Sequence, residues 1–130
     1  MTRSARFWMA IGLLSMLLAV ALAALGAHGP KAPTTELGQR WMATASLFHF
    51  VHSLALIGFG LWLGQTQQRC VLPALLLLSG MVLFVGSLYL LVFTTVHFPP
   101  LITPIGGGLL MLGWLAWVWA VLFRRPAAND

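Results

Sequence analysis

The sequence predicts an all-α fold, a polytopic membrane protein with four transmembrane helices in a compact bundle. Composition is the first observation: 60% of the 130 residues are hydrophobic and 7% charged, with a mean hydropathy of +0.94, whereas about a quarter of the residues in soluble domains carry charge. Length is the second, because four apolar runs each come close to the ~20 residues needed to cross a hydrocarbon core. Punctuation is the third: the charged residues and most of the prolines fall outside those runs. The runs leave no room for a separate soluble domain, so residues 1–130 are expected to form a single domain with spans at about 7–27, 41–63, 71–93 and 101–123.

The first span follows Arg3 and Arg6. A cleavable signal peptide has a similar charged start and small-residue end, here Ala21 to Ala24, but this run exceeds the usual apolar region of a signal and three more spans follow it. Ser15, Ala19, Ala23 and Ala27 recur every fourth residue, a smooth ridge that lets another helix come close. The first helix is therefore expected to be central or tightly docked. Gly26-Ala27-His28-Gly29-Pro30 ends it, since Gly accepts left-handed caps and Pro cannot continue the ladder.

Lys31 to Arg40 is the only long polar loop, and Thr34 or Thr35 suits the cap of a short surface helix leading to Trp41. The second span has Trp41 and Trp62 near its ends, as interfacial anchors should. His49 and His52 lie within it, three residues apart on neighbouring parts of one face. At 1.5 Å per residue, His52 is roughly 16 Å from Trp41, near mid-membrane. Gly60 and Gly64 add a close-packing pair.

The third span tolerates Pro73 in its first turn. Ser79 with Gly86, and Gly80 with Ser87, are seven apart, and the four together are read as one interhelical seam. The stretch from Gly80 to Gly113 is the centre of the arrangement, because it carries small and polar residues where a membrane helix is ordinarily greasy. After the stiff turn at Pro99-Pro100, the fourth span opens with Thr103-Pro104-Ile105-Gly106-Gly107 and stops at Arg124-Arg125-Pro126, followed by a polar tail expected to fray.

Charge placement sets orientation. Arg3, Arg6, Arg69, Arg124 and Arg125 share one side against Lys31 and Arg40 on the other, so both termini are expected in the cytoplasm. A net charge of +5 and a pI near 11.3 do not imply a nucleic-acid partner, since the basic residues come in ones and twos between apolar runs. The single cysteine, Cys70, excludes an intrachain disulfide framework and any multi-cysteine metal site within one chain.

This topology places His28, Tyr89 and Thr103 toward the non-cytoplasmic half, with His49, His52 and Ser87 deeper on the same side. These six form the candidate polar cluster or ligand pocket. Intramembrane ionisable residues are functional candidates by default, although each also has a structural use as helix-helix glue contributing about 0.6 kcal/mol per bond. No acidic residue occurs within a span, which removes carboxylate-bridged metal pairs and the carboxylate of common proton-coupled carriers. His49 and His52 are the only closely spaced histidines. No catalytic residue, metal or cofactor is assigned.

Taken together, Gly26-Ala27-His28-Gly29, the Thr44-Ala45 to His52-Ser53-Leu54-Ala55-Leu56 segment, Phe84-Val85-Gly86-Ser87-Leu88-Tyr89, Thr103-Pro104-Ile105-Gly106-Gly107 and Gly113-Trp114 resemble one family. It is the group of small membrane proteins called domain of unknown function 423, similar to eukaryotic transmembrane protein 256. The resemblance implies a compact helical membrane protein, in bacteria placed in the inner membrane, with hallmark residues at His28, His52, Ser87, Tyr89, Thr103 and Gly106. Phe48 stands where the family usually has Tyr, Val85 where it has Ser, and His49 is an additional histidine. The expected role is a non-enzymatic accessory or structural subunit that packs in the lipid bilayer against another membrane protein or its own copies. The alternative is a small transporter or ligand-binding protein with an outward pocket around His52.

Overall fold

A computed structural model describes residues 1–124 and contains α1 (Arg3–His28), α2 (Glu36–Thr66), α3 (Leu72–Phe93) and α4 (Ile102–Phe123). All four are long and apolar enough to cross a membrane. Arg125, the stop at Pro126 and the polar tail lie outside the described residues.

Capping explains most of the boundaries. The Thr2 hydroxyl accepts from the Ala5 N–H at 3.1 Å and starts α1, while the Gly29 N–H donates to the Leu25 carbonyl at 2.8 Å and ends it. The short surface helix expected before Trp41 is instead the first turn of α2. Thr35 accepts from the Gly38 N–H at 3.1 Å, and Glu36 sits in the first turn, where the helix dipole favours an anion. The exposed Glu36–Arg40 pair at 2.6 Å is one turn apart along this extension and adds little stability in water. At the other end Gln67 adopts a left-handed conformation, φ 52°, and breaks the helix. Pro73 occupies the first turn of α3, where it displaces no intrahelical bond.

The helices form two hairpins, α1 with α2 and α3 with α4, joined by a less extensive contact between α2 and α3. Backbones approach closely inside each hairpin. On α1 the seam is Ala5, Gly12, Ala19 and Gly26, seven residues apart; Ala5 and Ala19 are fully buried. A Cβ at Gly12 would lie 2.7 Å from the Ile57 nitrogen, and one at Gly60 would lie 2.8 Å from the Ala5 carbonyl. The expected four-residue ridge runs obliquely instead: Ala19 is buried, but Ala27 is exposed. Each four-residue step drifts by about 40° around the helix, whereas a seven-residue step drifts by only about 20°. The helix α1 is thus tightly docked on α2, but it is not central, and Leu13, Leu14, Leu17 and Leu18 face outward.

The second hairpin repeats the device with Gly80, Gly106 and Gly113. A Cβ at Gly80 would meet the Leu110 nitrogen at 2.7 Å, and one at Gly106 would meet the Phe84 Cα at 2.8 Å. Only half of the four-residue stripe expected on α3 belongs to this seam. Gly80 and Ser87 face α4, whereas the exposed Ser79 returns its hydroxyl to its own Leu75 carbonyl at 2.8 Å, and a Cβ added at Gly86 would meet no atom within 4 Å. Adjacent residues point about 100° apart, so both pairs cannot meet one neighbour.

Near the termini the core is apolar and aromatic. Phe59, Leu56, Leu63 and Leu77 are fully buried, and the Phe59 ring stands 5.2 Å from that of Trp117 and 6.4 Å from that of Trp8, edge-on in both cases. Overpacking a tight seam distorts side chains and backbone. Gly106→Leu is therefore expected to destabilise the protein by about 1–3 kcal/mol, visible as a lower midpoint in thermal melting followed by circular dichroism in detergent.

Candidate functional site

The six candidate residues occupy separate hydrogen-bonded sets. His49, 5% exposed, bridges two neighbours of α2: its Nδ1 is 3.0 Å from the Tyr89 hydroxyl on α3 and its Nε2 is 3.1 Å from the Ser15 hydroxyl on α1. Ser15 in turn lies 2.7 Å from the buried Ser53 hydroxyl and 3.8 Å from the Met81 sulfur. Four polar side chains from three helices thus form one chain, Tyr89–His49–Ser15–Ser53, toward the middle of the bundle.

His52 points elsewhere. Its Nδ1 is 2.8 Å from the Phe48 carbonyl one turn earlier, and its Nε2 accepts from the Trp114 indole N–H at 3.2 Å. A carbonyl only accepts and an indole N–H only donates. His52 is consequently a neutral imidazole with its hydrogen on Nδ1, both nitrogens occupied, and its ring stacks on Phe48 with centroids 5.7 Å apart. This is a tie between α2 and α4, with no lone pair left for a metal.

Ser87 and Thr103 form a third set, their hydroxyls 2.6 Å apart across the α3–α4 seam, and Ser87 also donates to the Phe84 carbonyl at 2.9 Å. Ser87 therefore accepts the Thr103 hydrogen. His28 is exposed at the end of α1 and belongs to none of these sets. The structure thus brings His49 and Tyr89 together, and separately Ser87 and Thr103, while His52 finds Trp114.

Three members of the His49 set, Ser15, His49 and Tyr89, help to line a groove. Between α1 and α3 the wall residues Leu14, Leu18, Leu22, Leu78, Val82 and Val85 enclose about 360 Å³, with Ser15, His49, Gly86 and Tyr89 also lining the space. This is within the range of small-molecule sites, roughly 300–1,000 Å³. None of its lining residues is charged, and it opens between two spans, where bilayer lipid would stand. Gly86 makes room on the α3 side.

Sequence reasoning missed Ser15, Ser53 and Trp114 as members of polar sets. Ser15 was legible as the one hydroxyl within the apolar part of α1, and Ser53 as a hydroxyl one turn from His49. Trp114 stood out only through the Gly113-Trp114 part of the family resemblance, and nothing in the sequence tied it to His52, 62 residues away.

Four apolar helices packed on glycine seams, with hydroxyl and imidazole side chains paired between helices, define a multi-span α-helical membrane protein. The chain belongs to the family described as protein of unknown function (DUF423), which matches residues 22–107. It is 38% identical over 112 residues to the UPF0382 membrane protein SERP0230 of Staphylococcus epidermidis, covering 86% of this chain and 92% of that one. It is 30% identical over 131 residues to the UPF0382 inner membrane protein YgdD of Escherichia coli K12, covering 97% and 98%. No solved structure matches.

The neutral His52 tie is open to a direct check. In ¹⁵N NMR of histidine-labelled protein at neutral pH, His52 is expected to show the proton on Nδ1; the Nε2–H form would contradict the assignment. Double-mutant cycles with Ser87→Ala and Thr103→Val are expected to give a coupling of about 0.6 kcal/mol.

Proposed function

We propose that this chain is a non-enzymatic ligand-binding membrane protein that takes a lipid-phase molecule into the groove between α1 and α3. The observation that supports the reading is a lipid-facing, almost wholly apolar cleft of about 360 Å³ that has Ser15, His49 and Tyr89, three members of the Tyr89–His49–Ser15–Ser53 chain, among its lining residues. Placing hydroxyl and imidazole groups at membrane depth is costly unless they are paired, and here one edge of the paired set borders open space. This differs from the pocket around His52 anticipated from the sequence, because His52 has both nitrogens committed to Phe48 and Trp114.

The role of an accessory subunit has weaker support. Gly12, Gly60, Gly80, Gly106 and Gly113 all meet neighbours within the chain, and Gly86 and Gly108 are the helical glycines with no atom within 4 Å of an added Cβ. Gly86 lines the groove. The exposed small residues Ala10, Ala24 and Ala27 on α1 and Ser79 on α3 are among those that remain for a second protein to pack on.

Native mass spectrometry of the protein released gently from its own membrane tests the reading. A lipid-sized mass retained on the chain, and lost in Gly86→Leu, is the expected outcome. Bare chain, or a protein partner in fixed stoichiometry that Gly86→Leu does not disturb, would replace this reading with the subunit role.

We place the protein in the bacterial inner membrane as one domain with both termini cytoplasmic. The name of the E. coli relative supports the membrane, and the excess of arginine at the ends of α1, α3 and α4 supports the orientation. Cys70, in the turn between α2 and α3, reports on the orientation. A membrane-impermeant maleimide is expected to label it in inverted vesicles and not in spheroplasts; the reverse pattern would invert the topology.

A further inference from the structure

We infer that the groove seats one acyl chain of an anionic phospholipid, drawn from the leaflet at the C-terminal end of α1, with the lipid's phosphate at Lys31. This rests on the groove reading above and names its ligand class. Leu22, which lines the cleft between α1 and α3, also lines a second space of about 390 Å³ whose other walls are Leu25, Gly29, Pro30, Lys31, Phe93 and Thr94. The two spaces therefore adjoin along the same pair of elements. The rings of Tyr89, in the first, and Phe93, in the second, stack with centroids 6.1 Å apart.

Their combined length is that of one leaflet. Ser15 lies near the middle of the 26-residue helix α1, and from there to His28 is about 20 Å at 1.5 Å per residue, against about 15 Å for half of a hydrocarbon core. The deep end of the groove thus reaches mid-bilayer, and Lys31, beyond the end of α1, stands at the level of the lipid head groups. On α1 the lining goes no further toward the N-terminus than Leu14. A chain from one leaflet fits this depth.

The mouth supplies a positive charge. The Ala32 N–H donates to the Gly29 carbonyl at 3.1 Å, closing a turn with Pro30 at its first central position, where its fixed φ is favourable. The turn puts Lys31 in the lining beside Leu25 and Phe93. Glu36, the only acidic residue among the described ones, is bonded to Arg40 at 2.6 Å, so Lys31 has no carboxylate partner there. A lysine binds phosphate as a point charge. No acidic side chain lines either space to receive the ammonium of a zwitterionic head group. A lipid with net negative charge is what this mouth complements.

Photolabelling of the full-length protein in phosphatidylcholine vesicles tests this. The probes are phosphatidylglycerol and phosphatidylethanolamine carrying the same diazirine in mid-chain, and the adducts are mapped by peptide mass spectrometry. Phosphatidylglycerol adducts are expected to concentrate on residues 14–22 and 82–89, and phosphatidylethanolamine to label the same residues about fivefold less. Lys31→Gln is expected to bring phosphatidylglycerol down to that level, while Arg69→Gln, which removes the same charge at the other end of the bundle, leaves it unchanged. Equal labelling by the two probes, undiminished labelling in Lys31→Gln, or an equal drop in Arg69→Gln overturns the inference. If Gly86→Leu still removes the adducts in those cases, the groove stands and only the head-group selection falls. Adducts spread evenly over the outer faces of all four helices, or undiminished in Gly86→Leu, overturn the groove reading itself.

Discussion

Backbone-to-backbone approach is the constraint on which the rest of this molecule depends. In lipid there is no hydrophobic drive to push one apolar helix onto another, so association rests on van der Waals contact and on hydrogen bonds between helices. Gly12 and Gly60 supply the contact in the first hairpin, Gly80, Gly106 and Gly113 in the second. The mostly apolar leucine and valine side chains left over face outward and serve only as a coat for the bilayer. An inside-out pattern results: the small residues are interior, and many of the large apolar ones are exterior.

Close approach also decides the fate of the polar side chains. With axes held near each other, short hydroxyls can reach across, as Ser87 reaches Thr103 at 2.6 Å and Ser15 reaches Ser53 at 2.7 Å. Longer polar groups span the wider α2–α4 and α2–α3 spaces, His52 to Trp114 and His49 to Tyr89. Each histidine uses both ring nitrogens, so neither sits in hydrocarbon with an unmet donor. His52 is closed on all sides, whereas the His49 set borders a cleft. That difference separates a structural tie from a candidate site, and residue type alone does not reveal it.

The four helices were readable to within about one residue at the ends of α3 and α4 because apolar run length is a strong local signal. The start of α2 was not, since Thr35 and Glu36 form a polar first turn that hydropathy cannot distinguish from loop. On α1 the sequence offered two small-residue spacings, and the choice between Ser15-Ala19-Ala23-Ala27 and Ala5-Gly12-Ala19-Gly26 depends on where the neighbouring helix lies. The site was legible as a set of residue types. Its partition was hidden, because His49 and His52, three residues apart, address different neighbours, and those neighbours are 40 and 62 residues away.

The uneven packing has a mechanical consequence. Two pairs of helices, each held along a glycine seam, meet through the less extensive α2–α3 contact and the α2–α4 ties His52–Trp114 and Phe59–Trp117, so α2 is the spine on which two leaves join. A rotation of one leaf on the other about α2 would change the distance between α1 and α3 while leaving every glycine crossing intact.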